Sequence, residues 1–388
     1  MGLFIFLNPF PYTTAIKEIC FYGSAFIILI LVISRQIELS LSSPLTLPIF
    51  LFVVWASFGL FFAVDKENSI HDFQVHLLKY VIFYYIMINY FNSREWLLRL
   101  SWIILVSAAL FSVGEIVYFY ILGSKPLSTK FVTGIPEIAV NGVGIIAVPA
   151  IIFGLHNLMT QDRLPVRIVS LILVLPTTIM CFLTQARGTI LAMLLSFTIL
   201  FFKNKRILLI CIGVALLFAS VTPIRDRFIN SDPSNKLRLG TYFINYEIIK
   251  DYPILGIGFG METYGNRQFI DLEAYNRRIP EHYRGSILKD PHSMLFSIAV
   301  RTGLIGLGLF LSILVVPFRM LWRNMRKGKG DQGDDWGRCL ISAWVAVLVI
   351  GFFEPFFSHF PEIVFYTLLA MMTIAWKTDQ NRSVSHQT

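Results

Sequence analysis

Leu171–Phe202 reads LILVLPTTIMCFLTQARGTILAMLLSFTILFF. Two long apolar runs flank a short polar break, and Arg187 is the one charge in the stretch. A helix that crosses a bilayer needs about 20 apolar residues. Each run approaches that length once the flanking residues are included. Lipid offers the backbone no hydrogen-bond partner, so such runs must close their own hydrogen bonds as helices. The break at 184–188 then becomes a turn at a membrane face, with an arginine on it.

The same pattern extends in both directions. Apolar segments run near 15–34, 44–64, 77–92, 97–121, 137–157, 165–184, 188–203, 206–222, 293–317, 337–354 and 359–376. Residues 2–10 add a truncated or re-entrant piece broken at Pro9 and Pro11. The chain is 55% hydrophobic and 15% charged, with mean hydropathy +0.66 over 388 residues, which leaves too little polar surface for a soluble protein of this size. The expected fold is all-α: a polytopic membrane bundle of about 11–12 transmembrane helices with one large extramembrane loop. A porin-type barrel would instead show short alternating strands.

The loop spans residues 223–291. It divides the chain into an N-terminal bundle (1–222), the loop subdomain (223–291), and C-terminal membrane helices with a short tail (292–388). The loop is polar yet carries Tyr, Ile and Phe, so it reads as folded, and 240–250 has amphipathic helical spacing. The glycine-rich LGIGFG at 255–260 lacks both the preceding strand and the third glycine of a dinucleotide fingerprint.

The net charge of +9 suggests nucleic acid at first sight. Its distribution argues otherwise. Arg163, Arg167, Lys203, Lys205, Arg206 and the Arg319–Lys329 stretch sit in short loops on one side if the segments alternate. That is the orientation signal of an inner-membrane protein, and it marks the cytoplasmic side. Arg187, the long loop, His292 and Glu354 then share the opposite, periplasmic face. The four cysteines show neither metal-ligand spacing nor a disulfide framework. His282, His292 and His359 are scattered, so no metal is expected.

Charged residues at a membrane edge are costly and usually functional. Arg187 is either an interface anchor or an anion ligand, whose planar fork suits phosphate oxygens. Gly188 beside it would let a headgroup approach the backbone. Arg238 opens the amphipathic stretch, where a helix N-terminus would also favour anions. His292 follows Asp290-Pro291 at the start of an apolar helix. It is either structural or a base that titrates near neutral pH. Arg301 lies about 13 Å into that helix by helical rise. It needs a partner, for which Glu354 is the candidate.

The pattern PHSMLFSIAVRTGLIG at 291–306, taken with LTQARG at 183–188 and RLGTYFINYEIIKDYPILGIGFG at 238–260, resembles the O-antigen ligase and O-antigen polymerase superfamily. That resemblance implies a donor glycan on undecaprenyl diphosphate and a reaction without metal, nucleotide or other cofactor. It implies that Arg187 and Arg238 bind the diphosphate, and that His292 is the catalytic base or positions the acceptor. The His-Ser, nine residues, Gly, two residues, Gly spacing favours the ligase branch. In that branch the glycan passes to a lipid A–core acceptor on the periplasmic face. Tyr242 stands where ligases often have leucine, and Arg301 where many members have a carboxylate. Arg301, Glu354 and Tyr242 are therefore accessory candidates, and a polymerase joining lipid-linked repeats is the alternative. A polysaccharide transporter or flippase is the third reading. It would call for broken helices in equivalent halves.

Overall fold

The computed structural model describes residues 1–133, 140–219, 233–285, 287–327, 331–355 and 361–385. The first ten residues of the expected loop subdomain, 223–232, lie outside them, as do 137–139, 220–222, 359–360 and the end of the basic stretch at 328–329.

Among the described residues the chain is helical and has no strand. The helices in order are α1 Gly2–Phe6, α2 Thr14–Ile33, α3 Thr46–Leu60, α4 Lys66–Asp72, α5 Lys79–Tyr90, α6 Arg94–Ile116, α7 Val140–Thr160, α8 Leu164–Leu183, α9 Arg187–Leu200, α10 Lys205–Ala219, α11 Pro233–Asp251, α12 Glu262–Gly265, α13 Leu272–Arg278, α14 Met294–Lys327, α15 Asp331–Gly351 and α16 Pro361–Ser385. Among the described residues, five stretches are long and apolar enough to cross a membrane: Thr14–Ile33, Arg94–Leu122, Val140–Thr160, Leu164–Leu183 and Met294–Trp322. Thr46–Leu60, Arg187–Leu200 and Trp336–Gly351 are shorter apolar helices. The protein is an all-α polytopic membrane bundle.

The segment expected at 77–92 belongs to a longer helical run. A π-turn at Phe73–Leu78 joins α4 to α5. The piece expected at 2–10 forms only the five-residue α1, which buries Phe4 against Phe21 and Phe83.

Burial grades outward from the centre. Every residue from Pro361 to Ala375 is buried, as expected of a helix that is apolar all round. In α7, 83% of the spanning window is buried, against 6% in the peripheral α2. Small residues let α7 sit close to its neighbours. A Cβ on Gly144 would strike Thr189 of α9 and Ile350 of α15, and one on Gly154 would strike Val174 of α8.

The helix α14 is broken at Gly303, whose φ of 71° and ψ of −177° are not helical. The carbonyls freed by the break are taken up elsewhere. Val300 O accepts from Ile257 N at 2.9 Å, and Arg301 O accepts from Gly258 N at 3.2 Å. Thr302 O accepts from the Trp55 indole at 2.9 Å. On the other side of the break, Leu304 N donates to Pro253 O at 2.8 Å. Irregular backbone inside a membrane protein persists only with such substitutes. The LGIGFG stretch is therefore the backbone splice of a broken helix. A Cβ on Gly256 would overlap Arg301 backbone, and one on Gly303 would overlap the Ile254 carbonyl.

The expected amphipathic helix at 240–250 begins earlier, at Pro233, and ends at Asp251. Its Ile244 and Ile248 join Ile257, Tyr264, Ile270, Tyr275 and Ile279 in a hydrophobic cluster distinct from that of the bundle. Ala299 and Val300 of α14 complete this cluster, so the loop helices rest on the turns of α14 just before its break.

Candidate functional site

One cavity of about 650 Å³ gathers residues far apart in sequence: Lys130, Val140, Asn141, Gln185, Ala186, Arg187, Gly188, Asn235, Arg238, Leu239, Tyr242, His292, Phe353 and Glu354. Five of the six residues singled out from sequence line it. Arg301 does not.

Arg187 is the first residue of α9. The chain reaches it through Gln185, which sits in the left-handed region at φ 49°. Gln185 is held there by a bond from its Nε2 to Ser128 O at 3.2 Å. No side chain caps α9, so its first N–H groups and the helix dipole favour an anion beside the guanidinium. Arg187 Nη2 donates to Asn235 Oδ1 at 2.5 Å, which ties α9 to the first turn of α11. Lys130 reaches the same cavity from residues 130–133, where Phe131 N donates to Leu183 O at 3.0 Å.

Arg238 is in the second turn of α11, because that helix starts at Pro233. The helix-terminus attraction expected for Arg238 therefore does not apply, since it fades within the first turn. Arg238 instead lies over the Phe353 ring, 5.9 Å from its centroid. The space beside Gly188 is shared with an aromatic ring. A Cβ there would come within 2.7 Å of Phe353 Cδ2, so Gly188 makes room for the Phe353 ring, while Gly188 itself still lines the cavity. Phe353 thus touches the space beside Gly188 and supports the Arg238 cation.

Tyr242 follows Arg238 by one turn. Its ring stacks on Phe296, with centroids 5.1 Å apart. Its hydroxyl reaches the carbonyls of Phe352 at 3.3 Å and His292 at 3.5 Å. Asn245, next along that face, donates to Pro291 O at 3.1 Å. The helix that carries Arg238 is thereby fastened to the loop that carries His292.

His292 does not open α14 directly, because the helix begins at Met294. His292 sits in the left-handed region at φ 47°, an uncommon conformation for a side-chain-bearing residue. Its backbone N donates to Asp290 Oδ1 at 2.9 Å, and its Nδ1 lies 3.2 Å from the same oxygen. Burial lowers its pKa below the usual histidine value. Asp290 opposes that shift and Arg238 adds to it.

Glu354 lies just past the end of α15 at Gly351 and is buried. Burial raises its carboxyl to about 7, against the opposing bond from Asn141; the charge of Asp290 raises it further and Arg238 lowers it. A carboxyl poised near neutrality in a cavity is a mark of functional sites.

The expected Arg301–Glu354 pair is not formed. Arg301 Nε donates to Phe259 O at 2.7 Å, its guanidinium lies 4.4 Å from the Phe259 ring centroid, and its Nη2 is 3.8 Å from Asp72 Oδ2. Asp72 in turn accepts from Met261 N at 2.7 Å. The glycine-rich stretch, bonded to the carbonyls of Val300 and Arg301 that the break frees, brings Phe259 to this guanidinium. Arg301 holds the splice together.

Lys130, Asn141, Asn235, Asp290 and Phe353 were not legible as site residues. Asp290 alone had a local signal, its place two residues before His292. The others come from four separate stretches and have no shared motif. Among the described residues no three His, Cys, Asp or Glu side chains gather as metal ligands.

Residues 171–311 match the family model described as O-antigen ligase. That span runs from α8 through both arginines and His292 past the break in α14. Lys130, Asn141, Phe353 and Glu354 fall outside it. No curated protein matches the chain. The match supports the superfamily read from the sequence, with an O-antigen ligase or polymerase type of function and a glycosyltransferase-like activity on lipid-linked glycans.

Proposed function

We propose that the protein is an inverting glycosyltransferase that moves a glycan from undecaprenyl diphosphate to a lipid A–core acceptor on the periplasmic face of the inner membrane. The observation that carries this reading is that Arg187, Arg238 and His292 border one cavity although they come from three separate elements. The loop subdomain, 223–291, would supply Arg238 and lead into His292 from the periplasm.

The chemistry follows from the side chains. The donor diphosphate lies against Arg187 and Arg238, with Lys130 adding a third cation. An acceptor hydroxyl attacks the anomeric carbon, and its proton passes to His292. The bond from that carbon to the phosphate oxygen breaks, and its electron pair leaves with undecaprenyl diphosphate. Fixed cations aimed at the oxygen where charge develops are typically worth about 3–4 kcal/mol each. Direct displacement inverts the anomeric carbon. No residue in this scheme requires a metal or a nucleotide.

The test is transfer by the purified full chain in proteoliposomes that hold a lipid-linked glycan donor and a lipid A–core acceptor. Glycan attached to the core, with release of undecaprenyl diphosphate and unaffected by EDTA, is the expected result. Lengthening of the donor glycan without attachment to the core would instead make the protein a polymerase. Donor binding with no transfer in either form, or movement of the donor across the bilayer, would reject the transferase.

A further inference from the structure

We propose that Asp290 is a positioning residue for the transfer reaction: its carboxylate fixes the tautomer of His292 so that Nε2 is the proton acceptor. This rests on the reading of His292 as the base.

The geometry is specific. Asp290 Oδ1 accepts from the backbone N of His292 at 2.9 Å. That bond by itself is an ordinary turn formed by an Asp side chain two residues back. The same oxygen also lies 3.2 Å from His292 Nδ1. A carboxylate only accepts hydrogen bonds, so its charge at this distance favours the neutral tautomer with the proton on Nδ1, in which Nε2 keeps its lone pair. The other tautomer would set two acceptors against each other and leave Nε2 unable to take a proton.

The backbone holds this arrangement in place. His292 stays at φ 47° although a side-chain-bearing residue pays for that conformation. Three contacts secure it: the Asp290 bond to His292 N, the Asn245 bond to Pro291 O at 3.1 Å, and the Tyr242 hydroxyl near His292 O at 3.5 Å. Asn245 and Tyr242 belong to the helix of Arg238, so the base and one diphosphate cation are set by the same rigid element.

The charges facing the imidazole come from every side. Asp290 is on its own loop, and Arg238 is on α11. Glu354 follows α15, while Arg187 and Lys130 lie across the cavity. The cations disfavour the imidazolium that forms during transfer. Asp290 is the carboxylate in direct contact, and it offsets them as the proton arrives.

The experiment compares Asp290→Ala, Asp290→Asn, His292→Ala and the double variant Asp290→Ala/His292→Ala as full chains in proteoliposomes. The readouts are transfer rate, donor KM and the pH profile. Asp290→Ala should lower kcat roughly a hundredfold, the lower end of acid–base help, with donor KM nearly unchanged. In the His292→Ala background the same substitution should cost nothing further. Asp290→Asn keeps an oxygen for both N–H groups but loses the charge. It should restore most of kcat, with the acid limb moved to lower pH because the imidazolium loses its counter-charge. An equal loss with and without His292, or an acid limb unmoved in Asp290→Asn, would make Asp290 a turn residue only. A near-wild-type rate in His292→Ala would overturn the base assignment itself. A slow His292→Ala beside an unimpaired Asp290→Ala would reject this proposal alone.

Discussion

Arg187 donates through Nη2 to Asn235 Oδ1 at 2.5 Å, joining the first residue of one apolar helix to the first turn of the loop helix. The bond aims one edge of the guanidinium and holds α9 against α11. Arg187→Ala should therefore lower transfer roughly a hundred- to thousandfold, the usual cost of losing one preorganised charge donor. Arg187→Lys should recover little, because an ammonium cannot supply the planar fork. Asn235→Ala should cost less, since the cation remains but is no longer aimed. Initial rates at matched protein levels decide the matter, and a near-wild-type rate in Arg187→Ala would leave that residue as an interface anchor.

Gly188 and Phe353 should be coupled. A Cβ at Gly188 falls 2.7 Å from Phe353 Cδ2, and the ring it would displace lies under Arg238. Gly188→Ala should raise donor KM through the shift of Arg238. Phe353→Leu, which thins that layer, should relieve part of the defect. A double-mutant cycle without coupling between the two sites would reject this packing relation.

Glu354 predicts a pH dependence of stability. Its carboxyl is at about 7 in the folded protein against an ordinary 4.5. Below pH 4.5 both states are protonated and the site contributes nothing. As pH rises toward 7 the unfolded chain releases a proton that the fold retains, so stability falls, by about 3 kcal/mol once past 7. Thermal melts of the detergent-solubilised chain should show this decline between pH 4.5 and 7. Glu354→Gln should flatten it and raise Tm at pH 8. A Glu354→Gln variant that melts with the wild-type pH profile would show that Glu354 ionises freely in the fold.

Gly303 should tolerate no side chain. Its φ is +71° and a Cβ would overlap the Ile254 carbonyl. Backbone strain of this kind costs about 1–3 kcal/mol before any clash is counted. Gly303→Ala should lower Tm and membrane yield. Gly308→Ala on the same helix meets nothing within 4 Å and should be neutral. Equal melting of the two variants would contradict the break in α14.

Orientation is open to labelling. Cys20 and Cys211 are partly accessible, whereas Cys181 and Cys339 are buried. Serine at 20 and 211 gives a quiet background for Gln268→Cys, an exposed position between α12 and α13. A membrane-impermeant thiol reagent should label it in intact spheroplasts. Labelling only after lysis would put the loop in the cytoplasm and remove the proposed reaction from the periplasm.

The sequence by itself determined the fold class. Apolar run length and the need to close backbone hydrogen bonds in lipid are local properties, readable one segment at a time. It also pointed to Arg187, Arg238 and His292, through an arginine at a membrane edge, an arginine opening the loop's amphipathic stretch and a histidine near a helix start, and above all through the motif resemblance that covers all three. What those residues touch was decided only in three dimensions. Glu354 was the expected partner of Arg301, yet Arg301 meets Phe259 of the glycine-rich stretch and Asp72, and Glu354 lines the cavity. Gly188 makes room for Phe353, and LGIGFG replaces the hydrogen bonds of a broken helix rather than cradling a phosphate. Asn235 reaches Arg187 across 48 residues of chain. Such pairings depend on how helices turn and cross, and periodicity along one segment carries no record of the segment that will face it.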